Sequence, residues 1–152
     1  VIGGTGRQEA ELRELITTLG APARLSGRLA DHVAAELYGA ADLMAMLCNE
    51  RWRGLEQEGF GIVFLEAAAA GVAQVAGRSG GAHEAVEDGV TGLIIDRPTD
   101  ASTAADALIE LATDPERRRK LGEAARRRAI HSFDNARLAA ELQDAIDRVE
   151  LR

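Results

Sequence analysis

The chain has 152 residues, a mass of 16.1 kDa and a net charge of −7, which is the size of one ordinary domain. Hydrophobic residues make up 46% and charged residues 28%, so a disordered chain is excluded, and the acidic balance argues against nucleic acid as a partner. No apolar run approaches the roughly 20 residues of a membrane-spanning helix, and the single cysteine, Cys48, excludes an internal disulfide and indicates a reducing, cytoplasmic location.

Short apolar strands alternate with helices along the first half of the chain. The chain begins with Val1-Ile2, which we interpret as the end of a strand, so we expect it to be truncated at its N-terminus and part of something longer. The next predicted elements are a helix at 7–19, a strand at 23–26, a helix at 31–38, a strand at 42–48 and a polar loop at 49–57. The loop contains Trp52, which either contacts a ligand or packs in the core.

The second half continues the alternation and then becomes helical. The predicted elements are a helix at 60–70, a strand at 72–76, a Gly-rich turn at 77–81, a helix at 83–86, a strand at 93–95 and helices at 102–112, 115–130 and 135–149. Pro115 suits the first helical position after Asp114. Strands alternating with helices imply parallel βα units, so we predict an α/β fold with a doubly wound, Rossmann-like parallel sheet.

The segment from Glu58 to Glu66 carries two carboxylates eight positions apart, across a predicted junction of loop and helix. Glu58 is expected just before the helix, and Glu66 two turns into it on the buried side, where a carboxylate is costly unless a ligand hydroxyl or a cation meets it. Gly59 and Gly61 would let the backbone approach another group closely. The helix start suits a phosphate, and carboxylates beside it indicate sugar hydroxyls, bound without metal. The alternative is that Glu66 only caps the helix or pairs with an arginine.

This spacing resembles the E-x7-E motif of family 4 of the retaining glycosyltransferases, which have the two-Rossmann-domain GT-B architecture. Other stretches follow the order of that family: Ser26-Gly27-Arg28, Tyr38-Gly39-Ala40-Ala41-Asp42, Gly80-Gly81 with Glu84, Glu87-Asp88-Gly89-Val90-Thr91-Gly92, Asp114-Pro115 and the region of Phe133. Within the family, Gly54-Leu55-Glu56 and Ala76-Gly77-Arg78-Ser79-Gly80-Gly81 are most similar to phosphatidyl-myo-inositol mannosyltransferases.

The resemblance implies that residues 1–152 are a partial C-terminal, nucleotide-sugar-binding domain of a GT-B glycosyltransferase, with C-terminal helices at about 101–150. Its implied function is to bind the donor of a retaining transferase that moves a hexose, with mannose from GDP-mannose as the first expectation, to a lipid or glycan acceptor without a metal or other cofactor. A UDP-sugar donor is one alternative. A stand-alone nucleotide-binding or interaction module without catalysis is another, although such a module would not need both Glu58 and Glu66.

The resemblance also assigns roles to residues. Glu58 would be catalytic and contact the donor sugar, and Glu66 would hold the ribose hydroxyls. The backbone near the start of the helix would lie by the diphosphate, and residues after the Ser26-Gly27 strand would line the base. The remaining donor-binding residues would be Gly59, Phe60, Gly61, Ile62, Val63, Leu29, Ala30 and Asp31, and no metal ligand is expected.

Several features depart from the family pattern or admit two interpretations. Ala73 and His83 stand where the family usually has proline. The family's Arg and Lys for the diphosphate, and its N-terminal acceptor domain, precede the position of Val1, so we expect the chain alone to be inactive. Cys48 reads as a small buried hydrophobe rather than a nucleophile. The basic residues of 117–128 could contact the inner face of a membrane, but their acidic neighbours favour a solvated face.

Overall fold

The computed structural model describes residues 1–50, 55 and 57–150, in two compact units, Val1–Leu37 and the residues from Tyr38 onward. The first unit contains β1 (Ile2–Gly3), α1 (Glu9–Leu19), β2 (Leu25–Gly27) and the start of α2 (Asp31–Ala40). β1 and β2 pair in parallel, and α1 is the connection between them. This is a βαβ arrangement, in which two parallel strands need a crossover element.

The second unit contains a parallel sheet of three strands in the order β3-β4-β5. Its elements are β3 (Leu43–Met46), α3 (Ile62–Ala69), β4 (Ala73–Gly77), α4 (Ala82–Ala85), β5 (Leu93–Ile95), α5 (Ala101–Thr113), α6 (Pro115–Ser132) and α7 (Asn135–Glu150). Helices connect consecutive strands, as the predicted alternation requires.

The central strand β4 is buried at all five positions, and its alternate side chains belong to different hydrophobic clusters. Ala73 and Val75 pack with residues of β5, α5 and α6, namely Ile95, Ala104, Leu111 and Leu121. Ala76 packs with Phe64 of α3, with Ala82 and Ala85 of α4, and with Val86, the residue after α4. A parallel sheet covered on both faces confirms the predicted α/β class.

Helix α6 packs closely against the turn that joins α3 to β4. A Cβ atom added at Gly122 would overlap the carbonyl oxygen of Gly71, so a larger residue would push the helix away. The guanidinium of Arg126 donates to the carbonyl oxygen of Ala69, the last residue of α3. These contacts set the end of α3, and therefore the whole helix, against α6.

The predicted elements occur in the predicted order, with ends that move by a few residues. The helix predicted at 60–70 begins at Ile62 because Gly61 adopts φ +81°, a left-handed conformation that cannot continue a right-handed helix. The strand predicted at 42–48 is shorter, Leu43–Met46. In the described part of the chain no helix combines the length and the hydropathy that crossing a membrane requires.

Candidate functional site

The loop before α3 is attached by its backbone to the turn after β4. The N–H of Glu58 donates to Oγ of Ser79 at 3.1 Å, and its carbonyl oxygen accepts the N–H of Gly81 at 3.0 Å. Ser79 is buried, with 2% of its surface exposed. Because β3 and β4 are adjacent and parallel, the segments that follow them meet at one edge of the sheet, the edge where α/β folds bind ligands.

The two consecutive glycines of that turn are required by this contact. A Cβ atom added at Gly80 would overlap the carbonyl oxygen of Glu58, and one added at Gly81 would overlap that of Gly59. Gly80 also has φ +47°, a backbone conformation that residues other than glycine rarely adopt. The absence of side chains at Gly80 and Gly81 therefore allows the backbone of the Glu58 loop to pack against this turn.

The two glycines of the loop itself have different roles. Gly61 has φ +81°, and a Cβ atom there would overlap the ring of Phe64, so glycine is required. Among the described residues, nothing lies within 4 Å of a Cβ atom added at Gly59. The expectation that Gly59 allows a close approach to another group stays a prediction.

The carboxylate of Glu58 is half-buried and has a thiol beside it. Sγ of Cys48 donates to Oε2 of Glu58 at 3.4 Å. Burial, the hydrogen bond and the negative charge of Glu58 together raise the pKa of the Cys48 thiol to about 11. A thiol that keeps its proton at neutral pH is a poor nucleophile, so Cys48 acts as a neutral partner of Glu58.

Glu66 lies one turn into α3, not two, and its side chain is exposed rather than buried. Helix α3 buries Phe64, Ala67 and Ala68, which share one face because residues three and four positions apart are neighbours on a helix. Glu66 is two positions from Phe64, a rotation of about 200°, and faces the other way. The predicted cost of burying this carboxylate therefore does not arise.

A tyrosine contacts the second carboxylate. The hydroxyl of Tyr38, in the last turn of α2, donates to Oε2 of Glu66 at 3.3 Å. Burial and the adjacent Glu66 carboxylate raise the pKa of Tyr38, so the hydroxyl stays protonated and remains a donor. Tyr38 belongs to a motif visible in the sequence, but nothing in that motif predicts its contact with Glu66.

The N-terminus of α3 lies between the two carboxylates in sequence, and among the described residues no side-chain hydrogen bond caps it. Gly61 is the residue before the helix, its carbonyl oxygen accepts the N–H of Phe64, and the side chain of Ile62 is 68% exposed. Val63 is half-buried. An uncapped helix N-terminus presents backbone N–H groups and the positive end of the helix dipole.

Phe60 connects the loop to the C-terminal end of α6, a contact that the sequence analysis missed. Its ring lies 5.6 Å from that of Phe133, at a tilt of 55°. The guanidinium of Arg128 lies 4.9 Å from the Phe133 ring and donates to the carbonyl oxygens of Glu84 at 2.7 Å and Ala85 at 2.8 Å. The chain has only five aromatic residues, so a phenylalanine in the loop and another at the end of a helix could have indicated that the two pack together.

The residues predicted to line the base fall in the first unit. Leu29 is half-buried and lies close to Gly3, while Ala30 and Asp31 are exposed at the start of α2. Their proposed role toward the base stays a prediction. Trp52 lies outside the described residues, and His83 is exposed on α4.

Most of the basic residues of 117–128 have partners within the chain. Arg117 pairs with Glu110 at 2.7 Å, Arg119 with Glu123 at 2.5 Å and Lys120 with Glu116 at 2.6 Å. Arg118 pairs with Asp42, and Arg126 and Arg128 donate to backbone carbonyls as described above. These contacts support the interpretation of this helix as a solvated, structural face.

Within residues 1–50, 55 and 57–150, no three His, Cys, Asp or Glu side chains gather as a metal site would require. The expectation that the site works without metal stays a prediction.

The profile of a family described as glycosyl transferases group 1 matches residues 1–128. A GDP-mannose-dependent monoacylated alpha-(1-6)-phosphatidylinositol monomannoside mannosyltransferase of Corynebacterium glutamicum is 43% identical over 126 residues, 83% of this chain and 32% of the relative. A GDP-mannose-dependent alpha-(1-6)-phosphatidylinositol monomannoside mannosyltransferase of Mycobacterium tuberculosis is 40% identical over 147 residues, 95% of this chain and 38% of the relative. The chain thus spans 32% and 38% of the length of these two relatives.

Among solved structures, Anabaena HepE in complex with UDP-glucose superposes with a TM-score of 0.79 and 28% identity, covering 96% of this chain and 40% of that one. Sucrose-phosphate synthase from Thermosynechococcus elongatus superposes with a TM-score of 0.79 and 26% identity, covering 97% of this chain and 37% of that one. The similarity therefore extends over nearly all of this chain and over less than half of each of these two proteins.

Proposed function

The chain belongs to the glycosyl transferases group 1 family, and from that premise we propose that it is the donor-binding part of a retaining glycosyltransferase that moves mannose from GDP-mannose to a lipid or glycan acceptor. The observation that carries the proposal is the position of the Glu58 loop. The loop that carries the half-buried Glu58 carboxylate is held by its backbone at the carboxyl edge of a parallel sheet, four residues before the first residue of α3.

In this proposal the two carboxylates bind different parts of the donor. Glu58 contacts hydroxyls of the sugar to be transferred, and Glu66 accepts hydrogen bonds from the ribose hydroxyls. Glu58 is half-buried and Glu66 is exposed. This difference supports the division, because the sugar would lie against the loop and the ribose would lie on the exposed face of α3. Carboxylates are strong acceptors for hydroxyl groups.

The leaving diphosphate would lie near the N–H groups of Ile62 and Val63. The helix dipole favours negative charge at that end, so it would stabilise the diphosphate as the bond to the sugar breaks. This stabilisation is electrostatic and uses no metal ion. The flanking Gly59, Phe60 and Gly61 would bring the backbone to the donor, and Leu29, Ala30 and Asp31 would line the base.

The identity of the donor is argued from the relatives. Two relatives at 40% and 43% identity have names that specify GDP-mannose, while the structure that holds UDP-glucose belongs to a protein at 28% identity. Higher identity favours GDP-mannose for this chain. A UDP-sugar donor is the second candidate, and the same binding experiment separates the two.

The reaction itself would need more than these residues. A transfer between two substrates depends on holding the donor against the acceptor, and this chain spans only 32% and 38% of the length of the two mannosyltransferase relatives. We therefore expect residues 1–152 alone to bind nucleotide weakly and to transfer no sugar. With a lipid acceptor, the full-length protein would work in the cytoplasm at the inner face of the membrane, which fractionation of cells would test.

Calorimetric titration of the full-length protein with GDP, GDP-mannose, UDP and UDP-glucose, with and without EDTA, tests the proposal. We expect the guanine compounds to bind more tightly and EDTA to have no effect. Transfer to a lipid acceptor, followed by NMR of the product, should give the same anomeric configuration as the donor. Glu123→Gln, an exposed change on α6, is the matched control and should leave binding unaltered. Absence of nucleotide binding, or an inverted product, would overturn the proposal.

A further inference from the structure

Tyr38 is the only tyrosine of the chain, and its hydroxyl points to the carboxylate of Glu66. The two residues come from different elements, the last turn of α2 and the middle of α3, and are 28 positions apart. In the part of the chain that the structure describes, Tyr38 is the side chain that hydrogen-bonds Glu66, and no Lys or Arg forms an ion pair with that carboxylate. The contact is therefore a link between a neutral donor and an exposed acceptor.

An exposed glutamate normally samples several side-chain rotamers, and holding it in one orientation lowers the entropy that a ligand must remove on binding. The Tyr38 hydroxyl has one proton to donate, and it bonds to Oε2. Oε1 and the second lone pair of Oε2 stay available for other donors. Because Tyr38 is half-buried, its ring is held better than the glutamate that it contacts.

We propose that Tyr38 is a positioning residue for Glu66: its hydroxyl holds the carboxylate in the orientation that accepts the ribose hydroxyls of the donor nucleotide. This inference rests on the proposed function of Glu66. A neutral donor suits the role, since a Lys or Arg in the same place would neutralise the carboxylate and compete with the ribose for its oxygens. The raised pKa of Tyr38 keeps the proton on the hydroxyl at neutral pH.

The test uses two ligands that differ only at the ribose: the nucleoside diphosphate that the full-length protein binds, GDP or UDP, and its 2′,3′-dideoxy counterpart. Tyr38→Phe keeps the ring and removes the hydroxyl. We expect it to weaken binding of the ordinary nucleotide about three- to ten-fold and to leave the dideoxy nucleotide unaffected. In a Glu66→Ala background the same change should have no further effect. Thr113→Val, which removes a hydroxyl from the exposed side of α5, is the control and should alter neither affinity.

The outcomes distinguish a failure of the ribose role of Glu66 from a failure of the positioning role of Tyr38. If the unaltered protein binds both nucleotides equally, or binds neither, the ribose role of Glu66 fails and this inference fails with it. If the protein prefers the ordinary nucleotide and Glu66→Ala removes that preference while Tyr38→Phe does not reduce it, only the role of Tyr38 is overturned. If Tyr38→Phe weakens both nucleotides equally, Tyr38 supports the fold and does not position Glu66.

Discussion

The thiol of Cys48 lies 3.4 Å from Oε2 of Glu58 and donates to it, which connects the second residue after β3 to the first carboxylate of the site. The thiol pKa of about 11 stands well above its ordinary value of 9.0, first because of burial and then because of the bond to Glu58. A cysteine that could be taken for a nucleophile is therefore a hydrogen-bond donor.

Alkylation of Cys48 tests this relationship. Only the thiolate reacts, so the rate with iodoacetamide, followed by mass spectrometry of the Cys48 peptide, should rise with pH toward a midpoint near 11. Glu58→Gln removes the negative charge but not the burial, so the midpoint should fall while staying above 9.0. A midpoint that does not move would mean that Glu58 has no influence on the thiol. Glu123→Gln is the charge-matched control.

Replacing Glu58 should separate turnover from nucleotide binding. If Glu58 contacts only the hexose to be transferred, Glu58→Ala in the full-length protein should lower kcat/KM for transfer much more than it lowers the affinity for GDP, which lacks that hexose. Steady-state kinetics and calorimetry on the same preparation give the two values. Equal losses in both would move Glu58 from the sugar to the nucleotide.

Replacing Glu66 should weaken nucleotide binding itself. Loss of charge-assisted hydrogen bonds to the ribose should reduce the binding free energy of GDP by about 1–3 kcal/mol in Glu66→Ala. Because Glu66 is exposed and faces away from Phe64, Ala67 and Ala68, the melting temperature should change little, and calorimetry then reports binding alone. Unchanged affinity would contradict the ribose role.

The glycine turn under the loop should tolerate no side chain at Gly81. An added Cβ atom would overlap the carbonyl oxygen of Gly59, so Gly81→Ala should lower the free energy of unfolding by about 1–3 kcal/mol, the usual cost of overpacking. Gly59→Ala, one side of the same contact, has open space around the added atom and should change stability by less than about 0.5 kcal/mol. Denaturant unfolding of both variants compares them, and equal stabilities would show that the turn can yield.

Phe133, at the C-terminal end of α6, should stabilise the Glu58 loop through its contact with Phe60. Phe133→Leu removes a tilted aromatic contact with Phe60 and should cost about 1 kcal/mol of stability. Amide exchange of the peptide that contains residues 57–61 should become faster, whereas Phe133→Tyr, which keeps the ring, should not change it. Faster exchange confined to the end of α6 would show that the loop does not depend on this contact.

The chain order of strands and helices, the parallel α/β class and the Glu58–Glu66 spacing were all readable from the sequence, because each depends on residues close together in the chain. Apolar runs of a few residues predict buried strands, and Asp114 before Pro115 predicts a helix start. The pair Gly80-Gly81 is also recognisable in the sequence as a motif, but its packing against the Glu58 loop is not.

Only the tertiary structure decided what each side chain meets. Glu66 is exposed because α3 packs through the face that carries Phe64, Ala67 and Ala68, and the left-handed Gly61 moves the start of that helix by two residues from the predicted one. The contacts of Glu58 with Cys48 and Ser79, of Tyr38 with Glu66 and of Phe60 with Phe133 join residues 10 to 73 positions apart. Such pairs form because parallel strands place distant segments at one edge of the sheet, and no local pattern of residues encodes which of them will touch.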